Sequence, residues 1–290
     1  MSNMPESSPM KRYTDHIKQG DTFDVIVIGG GISGAAVAYE AATRGLRAAL
    51  FEKGDFSEAT SAASSKLIHG GLRYLSNMEY GLVRESLRER RTLENIAPNF
   101  VYPFPMLFPH YQDQLKSNKW LLKIGLTLYD LLAFDKGRTW DVAKKIPDHT
   151  AISAEEALKR QPLLKREGLT GASLFYDCLN IFPERLALAF IKSAMAQGAK
   201  VANYAKVNGF LFDDDGKTVL GVSVKDLIHD TTHDVRAKVT INCAGPWADS
   251  VLALTRRESS DHPLRRSEGI HIITKAIIDD NAVVLSLIHI

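Results

Sequence analysis

The chain has 290 residues, of which 45% are hydrophobic and 24% are charged, and its net charge at pH 7 is +2. This composition is typical of a globular protein with one large or two intertwined domains, and the small charge gives no indication of nucleic-acid binding. No run of about 18 uncharged apolar residues occurs, so no transmembrane helix is predicted. Cys178 and Cys243 lie far apart and in no metal-binding spacing. We therefore expect no metal site and a reducing, cytoplasmic environment.

The first part of the chain predicts a βαβ unit. Residues 1–20 lack an apolar core and are predicted to be a flexible tail. Residues 23–28 are a β-branched run typical of a buried parallel strand, and a glycine-rich turn follows them. The alanine-rich segment 32–43 is predicted to be a helix that ends before Gly45, and residues 46–52 are predicted to be the next strand.

Three glycines of this unit match the G-x-G-x-x-G pattern between a predicted strand and a predicted helix, which is the context that supports a dinucleotide site. The first glycine permits a tight turn, the second lets the backbone approach a pyrophosphate, and the third lets helix and strand pack closely. The helix N-terminus offers N–H groups and a positive dipole end to the phosphates. Glu52 is expected to bind ribose hydroxyls and to repel the 2′-phosphate of NADP, but it does not separate NAD from FAD. The predicted cofactor-binding residues here are Gly29, Gly31, Ser33, Gly34, Glu52 and Lys53.

The remaining elements alternate between helices and strands. The proline-rich segment 101–110 is predicted to be an edge strand or irregular. Arginines recur at helical spacing in 80–96, and a solvated face is favoured there over a binding patch. The apolar segment 116–134, with two lysines near its start, fits either an interfacial helix or ordinary domain packing. Helices are further predicted at 70–74, 154–160, 183–197 and 247–254, and strands at 169–176, 200–204, 207–212, 219–226 and 235–242.

The block SSKLIHGGLRYL at 64–75 is highly specific. It resembles the FAD-dependent, quinone-linked glycerol-3-phosphate dehydrogenases and the related glycerol-3-phosphate oxidases, whose wider class is the D-amino-acid-oxidase type of flavoprotein. INCAGPWADS at 241–250 resembles that family's flavin-contacting strand and turn. SEGIHIIT at 267–274 resembles its substrate-domain strand that carries a histidine. The resemblance runs from about residue 22 to about residue 275.

The resemblance implies an α/β fold with a Rossmann-like FAD-binding domain and an interleaved α+β substrate, or cap, domain. It places the FAD-binding domain at 21–100 and 165–254, and the cap domain at 101–164 and 255–290. Two departures matter. Pro183-Glu184 stand where many members have two acidic residues before an arginine. The family also continues past residue 290, so the chain is predicted to be a truncated member with both domains incomplete.

The resemblance also implies roles for individual residues. Arg73 is predicted to anchor a substrate phosphate, because the planar guanidinium group suits phosphate. His69 and His271 are alternatives for the base or orienting group, since imidazole transfers protons near neutral pH, and the sequence does not rank them. Further cofactor contacts are implied for Thr60, Ser61, Ser64, Ser65, Lys66, Val207, Ala244 and Gly245.

The implied reaction is the oxidation of sn-glycerol 3-phosphate to dihydroxyacetone phosphate by hydride transfer to flavin N5. Quinone is the predicted electron acceptor, and an oxidase or another FAD-dependent oxidoreductase that uses oxygen is the alternative. A third alternative, of another class, is an inactive flavin-binding fragment. The predicted location is the cytoplasm, with attachment to the inner face of the cytoplasmic membrane and a homodimer both left open.

Overall fold

The computed structural model of the protein describes residues 10–17, 20–112, 119–255, 264–267, 269–273, 275 and 281–284. The chain divides into two compact units, the first within residues 1–64 and 183–269 and the second within 65–182 and 270–290. The strands are β1 (Thr22–Ile28), β2 (Ala48–Phe51), β3 (Leu67–Ile68), β4 (Val101–Tyr111), β5 (Thr150–Ile152), β6 (Leu169–Asn180), β7 (Lys200–Ala202), β8 (Ala205–Phe212), β9 (Val219–Asp226), β10 (Thr231–Asn242) and β11 (Ala282–Val283). The α-helices are α1 (Ile32–Thr43), α2 (Tyr80–Ile96), α3 (Lys119–Leu132), α4 (Ala154–Arg160), α5 (Pro183–Ala196) and α6 (Ala248–Ala253).

The first unit is built on a six-stranded sheet in the order β7-β2-β1-β10-β9-β8. β7, β2, β1 and β10 run parallel, and β9 and β8 continue the sheet antiparallel. The β-branched residues of β1 alternate between the two faces, with Val25 and Val27 packing with the alanines of α1 and Ile26 and Ile28 packing on the opposite side. A strand that is buried on both faces explains the continuous apolar run, and the predicted βαβ unit is confirmed.

Residues 10–17 pack against this sheet, so they do not form the predicted flexible tail. Tyr13 is 2% exposed, and its ring lies edge-on to Phe23 with centroids 5.6 Å apart. Arg12 donates to both carboxylate oxygens of Asp226, at 3.2 and 3.1 Å, and to the carbonyl of Asn203 at 2.8 Å. One aromatic ring and one guanidinium group hold this segment, and neither produces a periodic pattern in the sequence.

The second unit contains a sheet in the order β11-β4-β6-β3, with β5 also paired to β6. β4 carries three prolines and still pairs with β6 along its length. Pro103, Pro105 and Pro109 are an even number of positions from Leu107, whose carbonyl accepts from Val284 N–H on the β11 side. Alternate residues direct their backbone groups to opposite sides of a strand, so the missing proline N–H groups face away from β6. Among the described residues only β11 pairs on that side, so β4 is an edge strand for most of its length.

The units differ from the predicted domains at their boundaries. Residues 65–100 and 165–182 belong to the second unit, because β3 pairs with β6 and β6 is a central strand of that sheet. The described residues 255, 264–267 and 269, predicted to be part of the cap, group with the first unit. Strand pairing over long sequence separations sets these boundaries, and local patterns in the sequence do not report it.

Two arginines of α2 pair with a buried carboxylate. Arg84 and Arg91 both reach Asp135, at 2.7 and 3.1 Å, and Asp135 is 4% exposed. Arg88 pairs with Glu89 at the surface. The predicted solvated face is therefore confirmed for Arg88 and is wrong for the other two arginines. None of the helices in the described part of the chain combines the length and the apolar composition that crossing a bilayer requires.

Candidate functional site

The glycine turn between β1 and α1 is a place where side chains cannot be accommodated. Gly29 has φ +108°, a conformation that favours glycine, and its N–H donates to the carbonyl of Phe51 at 2.9 Å. A Cβ atom on Gly34 would lie 1.9 Å from the carbonyl oxygen of Gly29. A Cβ atom on Gly31 would lie 3.0 Å from Ser61 Oγ. The turn therefore has the tight bend and the close helix–strand contact that the sequence pattern predicts.

The Glu52 carboxylate lies beside this turn and binds two backbone N–H groups. Its Oε2 accepts from Gly30 N–H at 2.6 Å, and its Oε1 accepts from Gly54 N–H at 2.8 Å. The Glu52 backbone is held as well, because its N–H donates to Ala202 and its carbonyl accepts from Ala205 N–H. A carboxylate accepts about four hydrogen bonds, so each oxygen retains one lone pair for a further donor. The half-buried Glu52 is thus a fixed acceptor with unused capacity.

The N-terminus of α1 lies at the same end of the sheet. Gly31 precedes the helix and contributes no side-chain cap. The N–H of Ile32 donates to Ser61 Oγ at 2.9 Å, which places this predicted cofactor-binding serine against the first helical turn. The N–H groups of Ser33 and Gly34 lack an acceptor within the helix, as in any first turn. N–H groups without an acceptor in the helix and the positive end of the helix dipole fit an anionic group such as a pyrophosphate.

The turn after β10 lies against the glycine turn. A Cβ atom on Gly29 would lie 2.5 Å from the carbonyl oxygen of Cys243, so the two turns touch through their backbones. Ala244 N–H donates to Asn242 Oδ1 at 3.1 Å, and Gly245 has φ +54°. The structure therefore brings the predicted residues Ala244 and Gly245 beside the dinucleotide turn of the same unit.

The other predicted cofactor residues of the first unit differ in what they can offer. The Lys53 ammonium lies 4.0 Å from the centroid of the Trp247 ring, a cation–π contact at the same end of the sheet. Val207 is 7% exposed and packs in the core, so it presents only backbone to a ligand. Thr60 and Ser64 are exposed on the loop that follows Glu52.

In the second unit, the predicted substrate loop is a defined turn followed by a short 3-10 helix, Leu72–Asn77. His69 Nδ1 accepts from Gly71 N–H at 3.1 Å, and Gly71 has φ +76°. Arg73, at the second position of the 3-10 helix, is exposed, and its guanidinium carbon lies 4.9 Å from the centroid of the Tyr74 ring. His69 lies on the turn and Arg73 on the 3-10 helix that follows it, and both side chains are exposed. The helix predicted at 70–74 is thus a 3-10 helix that begins only at Leu72.

The remaining predicted residues of this unit are less constrained. Ser65 and Lys66 are exposed just before β3, and the Lys66 carbonyl accepts from Asn180 N–H at 2.7 Å. His271 lies in 270–273, a stretch with neither helix nor strand, and its side chain is exposed. The structure gives His69 a defined local environment and gives His271, within the described residues, no supporting element.

Sequence reasoning missed a buried group behind this loop. Gly70 N–H donates to Asp177 Oδ1 at 3.0 Å, across 107 positions of sequence. Arg90 and the Tyr129 hydroxyl bind the same oxygen. No role is predicted for Asp177 from the sequence, and the nearest noted departure from the family pattern is at Pro183-Glu184.

The fold and the glycine turn define a dinucleotide-binding protein. Residues 24–287 match the family described as FAD dependent oxidoreductase, and the chain belongs to that family. The alpha-glycerophosphate oxidase of Streptococcus pneumoniae is 40% identical over 256 residues, which are 88% of this chain and 41% of that protein. The alpha-glycerophosphate oxidase of Enterococcus casseliflavus is 38% identical over 87% of this chain and 40% of that protein. The chain thus spans about two fifths of the length of these relatives.

Solved structures agree with the family assignment. The X-ray structure of glycerol-3-phosphate dehydrogenase from Bacillus halodurans, complexed with FAD, is 31% identical with a TM-score of 0.60, over 82% of this chain and 37% of that one. L-proline dehydrogenase from P. horikoshii has a TM-score of 0.61 at 22% identity and supports the fold alone. The predicted α/β fold is confirmed, and FAD is the dinucleotide of the family.

Proposed function

We propose that the protein binds FAD and acts in the oxidation of sn-glycerol 3-phosphate to dihydroxyacetone phosphate. The observation that carries the proposal is the glycine turn with its fixed Glu52 carboxylate, in a chain 40% identical to a protein named alpha-glycerophosphate oxidase. FAD, when bound, supplies the hydride acceptor. The α1 N-terminus holds the pyrophosphate, and Glu52 binds ribose hydroxyls through the lone pairs that Gly30 and Gly54 leave unused.

The substrate-binding roles follow from the loop of the second unit. Because Gly71 N–H donates to His69 Nδ1, the neutral ring carries its proton on Nε2. His69 can then donate from Nε2 to a substrate oxygen, so we assign it the orienting role and leave the role of base to His271. Arg73 binds the phosphate through its exposed guanidinium group.

Anaerobic reduction of the flavin tests the proposal directly. The purified 290-residue protein should carry FAD, and glycerol 3-phosphate should bleach its yellow absorbance. Arg73→Ala should raise the substrate concentration needed by about tenfold to a hundredfold, because a charge-assisted hydrogen bond is lost. Arg88→Ala, which removes a surface arginine of the same unit, should leave the required substrate concentration unchanged. A yellow protein that glycerol 3-phosphate does not reduce would reject the substrate, and a protein without flavin would favour the inactive-fragment alternative.

The electron acceptor is a separate part of the proposal. The relatives named above include oxidases, which favours oxygen over the quinone predicted from the sequence. The neighbour solved with FAD is named a dehydrogenase. Stopped-flow reoxidation of the reduced protein by oxygen and by a soluble quinone distinguishes the two, and rapid reoxidation by quinone alone would contradict the choice of oxygen.

We also propose that α3 contacts a membrane surface, which would place the protein on the inner face of the cytoplasmic membrane. One face of α3 packs in the second unit, while Trp120, Ile124 and Leu131 are exposed on its other side. Leu121→Asp combined with Ile124→Asp should lower partition onto anionic liposomes, because both side chains are exposed. Leu163→Asp, at another exposed leucine, is the matched control. If the wild type, the double variant and Leu163→Asp partition equally onto the liposomes, α3 does not contribute to membrane binding.

A further inference from the structure

A buried carboxylate in the second unit is bound by three donors from three different elements. Asp177 Oδ1, on β6, accepts from Gly70 N–H at 3.0 Å, from the Tyr129 hydroxyl of α3 at 2.7 Å and from Arg90 of α2 at 2.5 Å. Asp177 is 4% exposed, and Arg90 and Tyr129 are each 2% exposed. This group connects two helices and a central strand to the backbone of the loop that carries His69.

Stability alone does not account for this arrangement. A buried ion pair costs desolvation free energy, and well-packed apolar residues of similar volume are often as stable. The loop is shaped to receive the network, because a Cβ atom on Gly70 would lie 2.2 Å from the Tyr129 hydroxyl oxygen. Burial, and secondly the Asp177 carboxylate, hold the pKa of Tyr129 well above its ordinary value, so the phenol remains a donor.

The network determines the conformation of the His69 turn. In a trans peptide the N–H and C=O groups point in opposite directions, so holding Gly70 N–H also sets the direction of the His69 carbonyl. The next N–H, that of Gly71, donates to His69 Nδ1. Two successive N–H groups are thus bound, one by Asp177 from behind the loop and one by the imidazole itself. The 3-10 helix that carries Arg73 starts immediately afterwards.

We propose that Asp177 is a positioning residue that fixes the turn 69–71, and through it the orientation of His69 and Arg73. The role in catalysis rests on the proposed function, whereas the fixing of the turn does not. Asp177 acts through Gly70 and touches no reacting atom, and Arg90 and Tyr129 hold Asp177 in place.

The chain offers a matched control for the test. Asp135 is another buried carboxylate of the same unit, and it binds Arg84 and Arg91 of α2 without touching the turn. Asp177→Asn and Asp135→Asn should both lower thermal stability. Neutral His69 should be a single Nε2–H tautomer in the wild type and a mixture of tautomers only in Asp177→Asn. The tautomer is measured from ¹⁵N spectra of the imidazole. The Gly70 amide should also exchange with solvent about tenfold to a hundredfold faster in that variant alone.

A second variant keeps the test decisive where Asp177→Asn does not fold. Tyr129→Phe removes one donor to Asp177 and retains the ring that packs edge-on against Phe175. It should shift the His69 tautomer in the same direction by a smaller amount. An unchanged tautomer and unchanged Gly70 exchange in the folded variants overturns the proposal, as does an equal change in Asp135→Asn.

Turnover separates this proposal from the proposed function. Where glycerol 3-phosphate reduces the wild-type flavin, kcat should fall about tenfold to a hundredfold in Asp177→Asn and stay near the wild-type value in Asp135→Asn. If glycerol 3-phosphate does not reduce the wild-type flavin but the His69 tautomer still depends on Asp177, the proposed reaction is refuted and the positioning of the turn by Asp177 is supported. A reactive protein whose kcat and spectra do not depend on Asp177 rejects the positioning.

Discussion

Substitution of Glu52 by glutamine tests the dinucleotide site at its most constrained point. The carboxylate oxygens accept from Gly30 N–H at 2.6 Å and from Gly54 N–H at 2.8 Å. Glutamine offers one acceptor oxygen and an NH2 group that cannot accept, so one of the two N–H groups loses its partner. A hydrogen bond to a charged group contributes about 1.5–3 kcal/mol, so Glu52→Gln should lower the free energy of unfolding by about that amount.

The same substitution should weaken FAD binding, because the proposed ribose contacts use the remaining lone pairs of the carboxylate. Loss of one such contact corresponds to about a tenfold to hundredfold rise in Kd, measured by titrating the apoprotein with FAD and following flavin fluorescence. Glu58→Gln is the control, since Glu58 lies on the same loop and its carboxylate accepts from Asp55 N–H and from neither Gly30 nor Gly54 N–H. Wild-type affinity in Glu52→Gln, or an equal loss in Glu58→Gln, would refute the assignment of Glu52.

Two further predictions concern stability. Gly34→Ala should lower the free energy of unfolding by about 1–3 kcal/mol, because the new Cβ would lie 1.9 Å from the Gly29 carbonyl oxygen. Gly81→Ala is the control, because a Cβ at Gly81 has nothing within 4 Å, and it should raise the free energy of unfolding by roughly 0.5–1 kcal/mol. Urea denaturation measures both. Equal changes in the free energy of unfolding in the two variants would contradict the close contact of Gly34 with the Gly29 carbonyl. Burial alone would raise the pKa of Asp226, but hydrogen bonds from Arg12 and other donors hold it below its ordinary value. Its carboxylate therefore stabilises the fold above about pH 4, and this contribution is lost as pH falls through the lower folded-state pKa. The stability advantage of wild type over Asp226→Asn, about 1.5–3 kcal/mol at neutral pH, should shrink in acid denaturant series, and a constant difference would contradict the pairing.

The sequence predicts the local elements well where the type of residue indicates directly how buried it is or how much space its side chain has. The βαβ unit is recovered because a doubly buried strand requires a β-branched run and a turn without side-chain space requires glycine. α2 and α4 have the predicted bounds of 80–96 and 154–160. In α4, Ser153 Oγ accepts from Glu156 N–H, a capping contact between neighbours in sequence.

Prediction fails where contacts join distant parts of the chain. Arg12 has no local feature that marks its partner, and Asp226 lies 214 positions away. The resemblance places residues 65–100 and 165–182 in the FAD-binding domain, whereas pairing of β3 with β6 assigns them to the second unit. A hydrophobic pattern reports which side of an element is buried, and it carries no information on which strand lies beside it.

The environment of His69 shows what the backbone adds to a choice of residue made from the sequence. The resemblance implies His69 and His271 equally, because an imidazole serves as base or as donor near neutral pH. The difference comes from Gly71, whose φ of +76° belongs to the left-handed region that favours glycine, and whose N–H donates to His69 Nδ1. That bond requires an unprotonated Nδ1, so the other nitrogen of the neutral ring is a donor. The position of the proton on His69 therefore follows from the conformation of Gly71, which Asp177 supports through its hydrogen bond to Gly70. The identity of the titratable residues in the sequence does not predict this proton position.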